Sequence, residues 1–378
     1  MKHKILIAGM FVASFFTSCS DDYLDAPAKS TLDESVIFSN PGLAEGAIDG
    51  IKIPFAETNS YRGRYLPFYG LNTDTEWYNS SQTVSDASDL CTYDAQSINS
   101  QMNTANNAWA MMYSGIERAN IAIRGLRTYG NPTPGSELGY LLGEALTLRA
   151  IYYADLVKAW GDVPARFEPL NNETLYVSKS SRDVIYKQII ADLGEAATLV
   201  PWPGGSAATS SVERINKAFV KGFRARLALA ASGYQQYPDG IRRSTDPELS
   251  VANMYALALA ESRSVIASGS AHLESSFETF WKKYNQEYIV AGGESLWEIP
   301  YANAPSARGR MVYTFGLKHN TTDDMTDVAQ GGQAGPTPFF FFDYSVKDKR
   351  RDISCIPYKW DKGVQGVNSL NTWYFGKL

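Results

Sequence analysis

The sequence predicts a mainly α protein, built as a scaffold of helical pairs followed by an irregular, loop-rich lobe with few short strands. Three observations carry that prediction. Five apolar stripes recur between residues 109 and 267 at steps of three and four, the period of a helix with one buried face. The stripes stop at Gly, Pro or Trp-Gly breakers, so the helices are of moderate length and joined by turns. Outside that interval the chain is rich in Asp, Asn, Ser, Tyr and Gly, and the period fades.

Residues 1–18 read as a secretory leader. Lys2 and Lys4 give a positive start, 5–16 is an apolar run, and Thr17-Ser18 are small residues before Cys19. The run has no polar face and is shorter than the roughly 20 residues that span a bilayer. A Cys after a small pair resembles a bacterial lipobox, so Cys19 is expected to be lipidated and to tether the chain to a membrane. Ser20-Asp21-Asp22 resembles the acidic tag that sends lipoproteins to the cell surface in Bacteroidota.

From 21 to about 101 the reading is an irregular segment with one short helix near 42–51. The first stripe is Trp109, Met112, Tyr113, Ile116, Ala119, Asn120, Ile123 and Leu126, ending before Gly130-Asn131-Pro132. Leu138, Leu141, Leu142, Ala145, Leu148, Tyr152 and Leu156 form the second, stopped by Trp160-Gly161-Asp162-Val163-Pro164. Ile185, Ile189, Leu193, Ala196 and Val200 form the third, after Ser180 with Asp183 three positions on, and end at Pro201. The fourth covers about 215–231 and stops at Gly233; the fifth covers about 251–267 with Gly269 as its expected C-cap. Pairs of this size suit a tetratricopeptide-like arrangement, although period alone supports the pairing and not a sequence repeat. Beyond 271 the chain is irregular, with a strand-like run at 295–301 that places Trp297 in the core, and a loop-rich stretch from 302 to 338.

Composition narrows the function classes. The 378 residues hold 35 Lys plus Arg against 40 Asp plus Glu, a net charge of -5, and the pI is near 5.4. No basic face offers itself to phosphates, so nucleic acid is excluded as a partner. Three Cys (19, 91, 355) make neither a disulfide framework nor a zinc site, and only His272 and His319 lie beyond the leader, so no cofactor or metal is expected. The sequence contains no G-x-S-x-G, H-E-x-x-H or phosphate loop. Glu294 with Glu298, or Asp348 with Asp352, can be posed as a glycosidase pair, but such carboxylates serve more often as solvated loop acids or caps.

Two aromatic clusters suggest binding instead. Asp74, Trp77, Tyr78 and Asn79 put an aromatic pair in a polar loop, with Arg62 and Arg64 upstream. Sugars present apolar C–H faces and a hydroxyl rim, which a flat ring beside Asp, Asn and Arg serves together. The alternative is that Trp77 and Tyr78 close the loop onto the scaffold. The second cluster is Trp281, Tyr284, Tyr288, Tyr301, Asn303, Arg308 and Arg310; helical spacing favours core packing for at least two of its first three. Phe339 to Phe342 reads as a buried helix start rather than a docking patch.

The most specific stretch is Leu148-Arg149-Ala150-Ile151-Tyr152-Tyr153-Ala154-Asp155-Leu156-Val157 followed by Trp160-Gly161-Asp162-Val163-Pro164. It is similar to the R-A-x-x-Y-x-x-L run and G-D-V-P turn of the SusD/RagB family of outer-membrane nutrient-binding lipoproteins. Ala119-Asn120, Val265-Ile266-Ala267-Ser268-Gly269, Glu294-Ser295-Leu296-Trp297-Glu298, Pro336-Thr337-Pro338 and Trp373, Phe375, Gly376 and Lys377 match it in the same order. The resemblance runs from Cys19 to the last residue. It implies a tetratricopeptide-like scaffold with a second lobe bearing the ligand site, and a division into leader 1–18, anchor and irregular segment 19–101, scaffold 102–270 and ligand-binding lobe 271–378. It also implies a cell-exterior lipoprotein of the outer membrane that binds an oligosaccharide and hands it to a SusC-like TonB-dependent transporter without chemistry; the residues expected to bind it, from the two clusters, are Trp77, Tyr78, Asp74, Asn79, Tyr301 and Arg308. A peptide ligand, a surface glycosidase and a purely structural adaptor are the rivals. Members usually continue past Lys377 with a further helical pair, so the chain is expected to be a fragment.

Overall fold

The computed structural model describes residues 32–65, 70–301, 308–319 and 331–378. The leader, Cys19 and Asn303 lie outside these residues.

Two helices open the described chain, α1 (Glu34–Ser39) and α2 (Pro41–Ala56). Asp33 caps the first; Asn40 caps the second, with Pro41 at its first position, where a missing N–H costs nothing. Strand β1 (Glu76–Tyr78) and α3 (Asp86–Cys91) follow. The five apolar stripes then become α4 (Ala108–Tyr129), α5 (Glu137–Trp160), α6 (Arg182–Leu199), α7 (Lys217–Ser232) and α8 (Val251–Ser268). A hairpin of β2 (Gln235–Tyr237) and β3 (Gly240–Arg242) separates the last two. Each of the five helices has a side-chain N-cap: Asn107, Ser136, Ser181, Asn216 and Ser250. Ser181 therefore takes the role expected of Ser180, one position on. Gly269 closes α8 in the left-handed conformation, as its position predicts.

Successive helices of this set pack on one another, and α2 packs on α4 and α5. The fold is thus mainly α, with a scaffold of helical pairs. Its core runs from Phe38 through Ile48, Met112, Leu148, Tyr152 and Leu193 to Ala258. Helix α5 is buried almost all round because neighbours cover it on several sides. The family-like stretch owes its composition to that burial. Arg149 is buried with Asp192 (2.7 Å) and also donates to Asn120 Oδ1 and the Phe167 carbonyl, so its charge is neutralised and its donors are used. The Tyr152 hydroxyl donates to the Ile51 carbonyl (2.7 Å), and Tyr61 donates to Asp155 (2.6 Å). Gly161 ends α5 at φ 73°, where a Cβ would strike the Arg182 guanidinium that pairs with Asp162 (2.8 Å).

The remaining chain is the irregular lobe: α9 (Phe277–Asn285), α10 (Met311–Phe315), β4 (Ala334–Pro336), α11 (Pro338–Asp343), α12 (Arg350–Ser354) and the hairpin of β5 (Tyr358–Asp361) with β6 (Val364–Val367). A second, small core of Leu71, Cys91, Ala334 and Phe375 sits between it and the N-terminal segment.

Three expectations are corrected here. The run 295–301 is extended but forms no strand: the Glu298 N–H donates to the Val212 carbonyl and the Asn216 amide donates to the Leu296 carbonyl, so single bonds stand where a ladder was expected. Trp297 nevertheless packs on Phe55 and Phe219, as expected of a core residue. The four phenylalanines do start a helix, capped by Thr337, but Phe339 (80%) and Phe342 (71%) are exposed. A helix turns about 100° per residue, so four consecutive rings cannot share one face; Phe341 faces Trp373 and Phe340 faces Tyr344. Third, α9 buries none of its residues, and Tyr284 and Tyr288 are exposed rather than core.

Candidate functional site

The polar loop that precedes β1 is built by its own side chains. Asn72, at positive φ, accepts the Tyr78 N–H (2.7 Å), and the Thr73 N–H bonds the Glu76 carbonyl (2.8 Å). That turn delivers β1 antiparallel to β4, with Glu76 opposite Pro336, Trp77 opposite Gly335 and Tyr78 opposite Ala334. Thr337 locks the end of the ladder by donating to the Asp74 carbonyl (2.9 Å).

Adjacent strand residues point to opposite faces, so Trp77 and Tyr78 do not form one platform. Tyr78 packs against the small core of Leu71, Cys91, Ala334 and Phe375, while Glu76 is raised in pKa by burial. Trp77 shares its face with Gly335, whose missing Cβ makes room for the Trp373 carbonyl. Its Nε1 is buried without a hydrogen-bond partner among the described residues. The Asn79 amide donates to the carbonyls of Gly332 (2.9 Å) and Trp373 (3.3 Å), and Asp74 is exposed.

Tyr301 and Arg308 lie elsewhere, around Arg62. The Tyr301 hydroxyl donates to the Phe55 carbonyl (3.2 Å) and burial pushes its pKa up to about 12. Arg62 donates to the Arg308 carbonyl (3.2 Å) and accepts the Arg310 N–H (3.1 Å). This group meets the start of α10, whereas Phe315 at the end of that helix meets Phe375 of the small core. The six expected contact residues therefore form two groups at opposite ends of α10.

The aromatic concavity of the lobe is a shallow cleft between α9 and the segments 210–213 and 288–298, whose enclosed space of about 20 Å³ matches a single water. Val212 is its floor, stitched to Ile289 on one side (2.8 Å) and to Glu298 on the other (2.8 Å). Phe280, Tyr284 and Tyr288 supply rings; Glu274, Lys283, Glu294 and Glu298 supply charge. Tyr284 and Tyr288 belong to the expected second cluster, whereas Phe280, Lys283 and Glu274 carry no sequence signal that separates them from an ordinary helix surface. Lys283 pairs with Glu274 (2.7 Å) beneath the Tyr288 ring, and Glu294 accepts the Glu274 N–H (3.0 Å). Burial, reinforced by Glu213, holds the Glu298 carboxyl above its ordinary pKa, and burial raises Tyr284 as well. Three carboxylates against one ammonium disfavour an anionic ligand, while rings and acceptors together suit a neutral polyol. The other carboxylate pair posed from sequence is spent on neighbours: Asp348 binds Arg350 and Asp352 binds Arg351 (2.8 Å). Among the described residues no cluster suited to a metal ion occurs.

One comparison decides the family: residues 22–229, which hold α1 to α6 and most of α7, match a family profile described as starch-binding and associating with the outer membrane. The chain belongs to this SusD-like family. Solved structures show the same fold. A SusD homologue from Bacteroides thetaiotaomicron is 20% identical with a TM-score of 0.73, the match covering 88% of this chain and 61% of that one. A SusD superfamily protein from Parabacteroides distasonis (20% identity, TM-score 0.63) is covered to 69%, with 88% of this chain matched. Surface glycan-binding protein A from Bacteroides uniformis (20%, 0.63) is covered to 68%, with 89% of this chain matched. The SusD-like chain spans about three-fifths of the length of the B. thetaiotaomicron homologue. No curated protein matches it. No helix among the described residues is long and apolar enough to cross a membrane.

Proposed function

We propose that this SusD-like chain is a cell-surface lipoprotein, lipidated at Cys19, that binds a neutral nutrient oligosaccharide and delivers it to a SusC-like TonB-dependent transporter in the outer membrane. The observation that carries the binding reading is the cleft under α9, where Tyr284 and Tyr288 stand beside Glu298 and Lys283. Family membership supports the ligand class and the membrane. The loop of Asp74, Trp77, Tyr78 and Asn79 is a second contact region, with Asp74 exposed and Asn79 holding the loop, and Tyr301 with the exposed Arg308 is a separate third.

Where the oxygens go supports binding over turnover: Glu274 is committed to Lys283 and Glu294 accepts a backbone N–H, while Glu298 is held above its ordinary pKa by burial. Calorimetric titration of the chain from Ser20 onward, against storage, plant and host oligosaccharides and mixed peptides, tests this. One glycan class is expected to give saturable heat and to be recovered uncleaved. Tyr284→Ala should weaken binding about tenfold, the cost of one stacked ring; Trp77→Ala reports whether the second region takes part. Heat from peptides alone would replace the ligand class, and cleavage lost on Glu298→Gln would make the protein a glycosidase.

A further inference from the structure

We propose that Lys377 is a positioning residue, whose ammonium, seated among the rings of Phe277, Trp281 and Phe375, holds helix α9 in place over the ligand cleft. The ammonium lies 5.7 Å from the centroid of Phe277, 5.5 Å from that of Trp281 and 5.9 Å from that of Phe375. All three distances are within the range at which a ring quadrupole attracts a cation. Two of the rings belong to α9, and the third belongs to the small core beside β1.

The need for such a clamp comes from the helix itself. Helix α9 buries no residue, so it lacks the apolar anchor that holds α4 to α7. Its other tie to the same segment is at its last residue, where the Asn285 amide donates to the Lys377 carbonyl (2.7 Å). Lys377 thus grips both the first two turns and the end of the helix. The grip reaches the cleft through ring contacts: Trp281 packs edge-on against Phe280 (5.1 Å) and Tyr284 (5.6 Å), which line it. Burial also lowers the pKa of Lys377, so its charge is only partly hydrated, the setting in which ring faces contribute most.

The affinity part of this inference rests on the glycan reading; the ordering of α9 does not. The test is hydrogen exchange of residues 277–285 in the full chain, with titration of the oligosaccharide found above. Lys377→Met keeps the stem and removes the charge; exchange in α9 should quicken about tenfold and affinity fall about tenfold. Lys377→Arg keeps a cation and should restore both, which a loss of mere packing would not allow. Trp281→Leu should resemble Lys377→Met, and the double variant should be no worse than the weaker single one; it also serves if Lys377→Met does not fold. Unchanged exchange in Lys377→Met and Trp281→Leu, or additive effects, would overturn the clamp. A wild-type chain that binds no glycan while Lys377→Met still loosens α9 would sink the glycan reading and keep the clamp.

Discussion

Glu298 shows how one side chain can be read two ways until its surroundings are known. Spacing to Glu294 suggests an acid/base pair, yet the two differ in the fold: Glu294 accepts a backbone N–H and Glu298 is held above its ordinary pKa of 4.5 by burial and by Glu213. The sign of the consequence is fixed. A carboxyl with a raised folded-state pKa favours the folded state most below its unfolded value, and that contribution is lost as pH rises through the folded value. Glu298→Gln should therefore melt higher than wild type at pH 7, with the difference closing as pH falls towards 4.5. Thermal scans across that range check it, and a constant offset would contradict it. Trp77 makes the same point for rings. Sequence places it beside Asp74 and Asn79, but strand alternation, which needs the β1–β4 pairing, turns it away from Tyr78.

At the scale of elements, the long helices were legible, whereas the short helices α1, α3, α10 and α12 and the short extended pieces were not. The stripes and caps of α4 to α8 are local signals, each contained in a dozen or so residues. The run 295–301 has the composition of a strand, but a strand also needs a partner, and its neighbour is the capped start of α7. Asn216 serves both sides of that junction: its Oδ1 caps α7 at the Phe219 N–H (3.1 Å) and its Nδ2 donates to the Leu296 carbonyl (2.7 Å). Asn216→Ala removes a cap worth about 1 kcal/mol and leaves the half-buried Leu296 carbonyl unpaired, so a loss of about 2 kcal/mol is expected in urea unfolding. Asn216→Asp keeps the cap and should lose only the second part. Equal losses would mean that the cap contributes nothing, and an Asn216→Asp chain as stable as wild type would mean the same of the tie to 296. The phenylalanine run follows the same logic: Pro338 and the Thr337 cap announce a helix, while which rings are covered depends on Tyr344, one turn on, and on Trp373, far along the chain.

Across the molecule, burial is uneven. The large core of the scaffold joins α1, α2 and α4 to α8, whereas the lobe depends on the four-residue cluster around Phe375 and on single ties such as Lys377. Cooperative opening should follow that division. Phe375→Ala, a large-to-small change in the small core, should quicken exchange at 71–91 and 334–336, while amides of 137–160 keep their protection. Uniform loss across both regions would show one cooperative unit instead. The same division puts the proposed ligand cleft beside the smaller core, in keeping with the low-stability segments from which binding elements are drawn.

Periodicity, caps and breakers were enough to establish the mainly α scaffold and its five long helices, because helix formation depends on residues three and four apart. Ordered motifs, read as a resemblance, pointed to the SusD-like family. The division of the expected contact residues into two groups, the cleft under α9 and the exposure of Phe339 and Phe342 had no local signature. They depend on contacts between residues tens to hundreds of positions apart, such as Arg62 with Arg308 or Trp77 with Gly335. Such pairings come from packing and strand register, which no short window of sequence encodes.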